Sequence, residues 1–264
     1  MKLILSEMTY FPRWGAGVFR VWRRNFLFFR YTLFISVGWI FLEPLMLLAA
    51  FGYGLGQFVT EVNGQPYANF IAPAMIAATG MFVAFFEGTY GTYTKLKTQN
   101  TLETILIAPV SSDEVALAEI AWATSKAMIS VLAVSVVTAL LGLIDVAHIW
   151  VPLLMSVVFC WGMAAFSVML ASVSKSYDWF IYFQSGFAMP MSLFCGTYFP
   201  KDQMPEALQY LIYCFPLTHI VVLFRSLLVE NYHPDLLLNI SYLLIFAILF
   251  TNMACSKLKK KLIL

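Results

Sequence analysis

Charge is what this chain has least of. Only 11% of its 264 residues are Asp, Glu, Lys or Arg, against 61% hydrophobic. A soluble domain carries about 25% charged residues. So little charge cannot cover a water-facing surface, which excludes a soluble enzyme of ordinary design and excludes disorder. Cysteine is scarce too. Cys160, Cys195, Cys214 and Cys255 stand apart, and no pair has metal or redox spacing. The three histidines, His148, His219 and His233, are not clustered. No G-x-x-x-x-G-K-[ST] phosphate loop occurs, so the chain does not hydrolyse ATP by that route; it is expected not to be an enzyme and to bind no cofactor or metal. No H-E-x-x-H or G-x-S-x-G motif supports an intramembrane hydrolase. The opening MKLILSEMTYFPRWG lacks a cleavage pattern, and acidic Glu7 follows closely, so no signal peptide is expected.

What the chain has instead is long apolar runs. A helical span needs about 20 apolar residues, whereas barrel strands alternate over short segments. The expected fold is therefore all-α: a polytopic membrane protein forming one domain over residues 1–264. Six spans are read at about 31–54, 68–92, 115–143, 150–173, 179–198 and 236–254. Two apolar stretches, 10–29 and 203–229, fall outside that count.

The first of these is amphipathic. On a helical wheel of about 100° per residue, with Arg13 at zero, Arg20 falls near 340° and Arg24 near 20°. Phe11, Trp14, Val18, Phe19, Trp22 and Phe26 fall between about 100° and 240°. Such a helix suits the headgroup plane of an anionic leaflet; the plainer reading is a set of flanking basic residues. The cations also give orientation. Of 16 Lys and Arg, all but Lys126, Lys201 and Arg225 fall inside when both termini are cytoplasmic.

The inner loop between spans two and three reads KLKTQNTLETILIAPVSSDEVALAEI. Asn100 and Glu103 have capping-box spacing, and Pro109 stops the helix they open. Ser111 and Glu114 form a second box, opening span three. A short helix over about 101–108 results, with Leu102, Ile105, Leu106 and Ile107 covering most of its sides. It either docks into another protein or rests on the membrane or its own bundle. On the outer side, Pro200, Pro205 and Pro216 punctuate residues 199–235, and Arg225 interrupts the second apolar run. Two short helices, about 204–214 and 217–229, would dip into the outer leaflet as a re-entrant pair. A hydrogen bond from His219 holding this loop is the simpler expectation for that residue.

Ionisable groups within spans are costly and face protein or water. Glu43 precedes Pro44 midway along span one. Glu87 lies among Phe82, Phe85, Phe86 and Tyr90. Glu119 and Lys126 share a face of span three, about 10 Å apart along its axis, so Glu87 or Glu119 is expected to pair with Lys126 between helices. Gly52 and Gly56 give a G-x-x-x-G spacing, a hint of dimerisation. Cys195 and Cys214 both fall near the outer side and are expected to be free thiols rather than a disulfide.

The strings TLETILIAPVSSDEVALAEIAWATSK, PYANFIAPAMIAATGMFVAFFEGTYGTYTKL and GTYFPKDQMPEALQYLIYCFPLTHIVVLFRSLL, in this order and topology, resemble type 2 ABC exporter permeases over about residues 30–230. Within that class the likeness is to the nodulation protein J branch. The class exports polysaccharides, lipo-oligosaccharides, drugs and lipids. The resemblance implies an amphipathic connecting helix matching 10–29, with Arg13, Trp14, Arg20, Trp22 and Arg24. It implies a coupling helix at Asn100, Thr101, Leu102, Glu103, Ile105, Leu106 and Pro109, seated in a separate ATP-binding subunit that carries ATP and Mg. It implies an outer gate around Pro200, Pro205, Pro216, His219 and Arg225, and permease dimer contacts through spans one and five. The implied function is outward transport of an amphipathic, glycolipid or oligosaccharide-like molecule across the bacterial inner membrane by a homodimer with two ATPase subunits, in contact with membrane lipids and not with nucleic acid. The alternatives are a drug efflux permease of the same class and a membrane scaffold that transports nothing.

Overall fold

Helix formation follows the apolar runs. The computed structural model describes residues 10–59, 61–62, 64–145, 149–228 and 235–263, without the side chains of 34–37, 39–41, 43, 44, 53 and 202. The Glu43 carboxylate, His148, His233 and Lys2 lie outside the described residues. Helix α1 runs over Ala16–Leu47 and continues as a π-helical turn over Leu48–Gly54. A two-residue hairpin, β1 (Glu61–Val62) against β2 (Gln65–Pro66), leads into α2, Tyr67–Phe86. Two π-helical segments, Glu87–Gly91 and Thr94–Thr98, extend α2 beyond its C-terminal end. The loop helix α3 (Thr101–Ile105) precedes α4 (Ser112–Leu140) and α5 (Trp150–Val173). Helices α6 (Asp178–Phe183) and α7 (Met189–Phe194) flank a π segment, Gln184–Ala188. Helices α8 (Glu206–Ile212) and α9 (Pro216–Leu228) precede the last helix, α10 (Leu236–Ile263).

Among the described residues, four helices are long and apolar enough to cross a membrane: Tyr67–Thr98, Ser112–Leu140, Trp150–Val173 and Leu236–Ile263. The α8–α9 pair would make a fifth only as one broken span, and it bends by 93°. This is an all-α, multi-pass membrane protein. The sequence placed an amphipathic helix at 10–29 and a span after it. The structure has no break there: residues 10–15 are non-helical, and one helix, starting at Ala16, carries both stretches.

Helices α4 and α5 form the centre, with α1, α2, α9 and α10 packed around them. Small residues set the closest approaches. A Cβ at Gly88 would lie 2.6 Å from the Ser167 Cβ and 3.1 Å from the Ala164 carbonyl oxygen of α5. Between two membrane helices such contacts supply much of the association energy, because lipid tails offer no hydrophobic drive. Gly52 and Gly56, the G-x-x-x-G pair, lie near Ala68 and Tyr67 of α2. We expect Gly88→Ala to destabilise the bundle by about 1–3 kcal/mol through overpacking. Gly186→Ala, with no atom of the chain within 4 Å of its added Cβ, leaves stability unchanged. Thermal unfolding of the two purified variants in one detergent checks this.

Candidate functional site

The acids of α4 build a polar seam along its N-terminal half. At its root, Ser111 is the N-cap. Its hydroxyl accepts from Glu114 N at 3.3 Å, while the Glu114 carboxylate accepts from Ser111 N at 2.8 Å. The other Glu114 oxygen accepts from Gly17 N at 2.9 Å. Gly17 is the second residue of α1, whose first N–H groups have no partner inside the helix. One carboxylate therefore caps two helices. The approach requires glycine: a Cβ at Gly15 would strike Glu114 Oε1, and one at Gly17 would stand 2.7 Å from the carboxylate.

Beside it, Asp113 holds the segment before α1. The Tyr10 hydroxyl lies 2.8 Å from both Asp113 oxygens, and Arg13 N donates to Oδ2 at 3.1 Å. Lys259, near the end of α10, donates to the Tyr10 oxygen at 3.1 Å. Burial first, and the neighbouring Asp113 after it, push the Tyr10 phenol above its ordinary value against the pull of Lys259. It therefore stays a donor.

Two turns further along α4, Glu119 is 1% exposed. A buried carboxylate is tolerated only when its oxygens are occupied. Its Oε2 is 2.6 Å from Lys95 Nζ and 3.4 Å from Thr92 Oγ1. Its Oε1 accepts from Asn25 Nδ2 at 2.8 Å. Asn25 Oδ1 in turn accepts from Arg24 Nη2 at 2.8 Å. Within the next two turns, Glu87 meets Lys126 at 2.7 Å and accepts from Trp122 Nε1 at 2.7 Å. Phe29 of α1 packs edge-on against Trp122, with Lys126 over its ring. Trp22 Nε1 donates to Ser125 Oγ at 3.0 Å. Glu87 is thus the acid that takes Lys126. Glu119 takes Lys95 instead, because its axial distance from Lys126 is too long and a π-helical turn carries Lys95.

The aromatic side of α1 therefore packs on protein as well as facing outward. Trp14 stacks on Trp161 of α5 at 6.0 Å, while Phe19, Phe26, Arg13 and Arg20 are exposed. Asn25, Lys95, Thr92, Trp122, Asp113 and Tyr10 were not singled out as seam residues from the sequence. The available signals were the Asn within an aromatic run and two acids in the first turn of α4.

The loop helix departs from expectation. Asn100 adopts a left-handed backbone, φ 51°, and makes no side-chain cap bond, so no box with Glu103 forms. Thr104 Oγ1 donates to the Asn100 carbonyl instead, at 3.0 Å. The helix ends at Ile105 rather than 108. Pro109 disfavours helical backbone at Ala108, and the N–H groups of Leu106, Ile107 and Ala108 turn to carbonyls three residues back. Leu102 is fully buried in the protein's own core, Ile105 and Leu106 pack against it, and Ile107 is 87% exposed.

At the α8–α9 bend, buried His219 of α9 reaches Asn239 Oδ1 of α10 at 2.6 Å and the Tyr213 carbonyl at 2.9 Å. Its ring stacks on Tyr242 at 3.9 Å. Arg225 donates to the Gly196 carbonyl at 2.6 Å and lies 3.8 Å from the Phe70 ring centroid. Pro205 and Pro216 sit at the starts of α8 and α9, and Pro200 precedes a 3₁₀ turn. These residues hold the bent pair against α2, α7 and α10. Cys195 and Cys214 are free thiols.

The ABC-2 type transporter family model matches residues 17–229. The chain belongs to that family: it is the transmembrane permease subunit of an ABC exporter, not its ATPase. More narrowly, it is a permease of the nodulation protein J type. Nodulation protein J of Sinorhizobium fredii is 30% identical over 243 residues, covering 92% of this chain and 93% of the relative. The Bradyrhizobium diazoefficiens protein is 31% identical over 233 residues, 87% of each chain. That of Rhizobium meliloti is 30% identical over 255 residues, 95% and 96%.

Removing one partner of a buried ion pair costs about 3–5 kcal/mol. Glu119→Ala is expected to lose stability on that scale. In the Glu119→Ala/Lys95→Ala double variant part of the loss returns, giving a coupling energy of about 1 kcal/mol or more. A double-mutant cycle of unfolding midpoints measures it, and strict additivity would contradict a direct pair.

Proposed function

We propose that two copies of this permease, with two separate ATP-binding subunits carrying ATP and Mg, move an amphipathic, glycolipid or oligosaccharide-like molecule outward across the bacterial cytoplasmic membrane. Six spans cross the bilayer with both termini cytoplasmic: α1 with its π turn, α2, α4, α5, α6–α7 and α10. The α8–α9 pair dips into the outer leaflet as a gate, with His219 and Arg225 as its fastenings.

The observation that carries this reading is the seam. Helix α3 hangs on the root of α4, and that root is bonded to α1 through Glu114 and Asp113. Glu119 adds Asn25 of α1 and Lys95 of the α2 extension. A push on α3 therefore moves the inner ends of three spans as one body. Ile107, exposed beside Glu103, supplies the apolar contact for an ATPase cleft. For the cargo, Phe82, Phe86, Tyr90 and Tyr177 form a run of neighbouring rings about 6 Å apart, at 6.2, 6.0 and 6.1 Å, ending at the inner side. Such a face suits an amphipathic molecule, as does the likeness to the nodulation J proteins.

Ile107→Asp is expected to abolish co-purification with the ATPase and nucleotide-dependent export, while the permease still inserts and folds. Transport that continues without nucleotide would sink the coupling. Orientation is checked separately with single-cysteine variants. Lys97→Cys reacts with an impermeant maleimide only in inside-out vesicles, and Gln203→Cys only in right-side-out ones.

A further inference from the structure

A groove of about 380 Å³ lies between α5, the π segment after α6, the α8–α9 turn and α10. Phe166, Phe187, Phe246, Leu249 and Phe250 make its walls, and Cys214 and Pro216 of the turn close its outer end beside Tyr242. Its polar atoms are already engaged. The Tyr242 hydroxyl donates to the Cys214 carbonyl at 2.6 Å, and the His219 ring behind it is bonded at both nitrogens. Water in this groove would find few partners, and apolar cavities of that kind take hydrocarbon instead. The groove is continuous with the bare apolar face of α10, where Leu237, Leu238, Leu244, Ile245 and Ile248 are exposed on a span of mean hydropathy 2.0. That face meets lipid. From Tyr242 to Phe250 the groove follows α10 for about 12 Å, close to the half-thickness of about 15 Å of a hydrocarbon core.

We infer that this groove binds one acyl chain of a bilayer phospholipid, aligned with α10 and ending under the α8–α9 turn. The chain lies along Phe166, Phe187 and Phe250, whose rings touch one another and make the floor of the groove. It touches Pro216, so it braces the bent outer pair from below.

The test uses the purified full chain in phosphatidylcholine nanodiscs doped with a phosphatidylcholine bearing a diazirine midway along one acyl chain. After irradiation, adducts are mapped by mass spectrometry. Leu249 and Phe250 are expected to carry at least about threefold more label than exposed Leu244 and Ile248 on the same helix. Leu249→Trp, which fills the groove, removes that excess and leaves the label at Leu244 unchanged. Ile245→Trp at the groove's rim is the second variant should the first fail to fold. Equal labelling of both faces overturns the proposal. So does efficient cross-linking of Leu249→Cys between two copies, which would make the groove a contact between permeases.

Discussion

A carboxylate buried in a helix bundle must be fully occupied by donors, and Glu119 is the point on which the α4 root end of this protein turns. Its two oxygens take Asn25 from α1 and Lys95 from the end of α2. Because it is shielded from water, those partners are not interchangeable with solvent, and the three helices cannot slide without exposing a charge. The Glu87–Lys126 pair two turns away joins the same two helices with the charges exchanged. Charge is rare in this chain, and where it enters the spans it fixes helix register.

The opposite end of the bundle, around α8 and α9, is built on another principle. No ion pair is described there; the bent α8–α9 pair is held by carbonyl oxygens and ring faces. His219, Arg225 and Tyr242 each reach backbone carbonyls exposed where helices end, at Tyr213, Gly196 and Cys214. Helix ends leave such acceptors unsatisfied, and at membrane depth a protein donor must meet them. Helix α9 thus collects loose ends of α7 and α8, and Tyr242 of α10 takes another beyond α8.

Much of the helical layout was legible because its cause is local. Apolar length marked α2, α4, α5 and α10, and the Ser111–Glu114 spacing announced the start of α4. The break at 212–216 follows from Pro216. The seam was less legible because its cause is between helices. Sequence spacing put Glu119 and Lys126 on one face but could not show that π turns would bring Lys95 to Glu119. Asn100 misled for a related reason. Its side chain is a good cap in general, yet the tight entry to α3 needs a left-handed residue, and Asn is one of the few non-glycine residues that tolerate it. The unbroken α1 was hidden by composition: its amphipathic start and apolar remainder look like two elements although the backbone makes no distinction.

The link between Tyr10 and Lys259 joins residues 249 apart in sequence. Asp113, the other partner of Tyr10, is inserted long before Lys259 is synthesised. During biogenesis the segment ahead of α1 can therefore settle on the root of α4 early, but its clasp stays open until the final helix has entered the membrane. A chain interrupted before α10 would present α4 with its inner root half-fastened. Helix α10 thus supplies, through Lys259, the fastening that the segment ahead of α1 receives last.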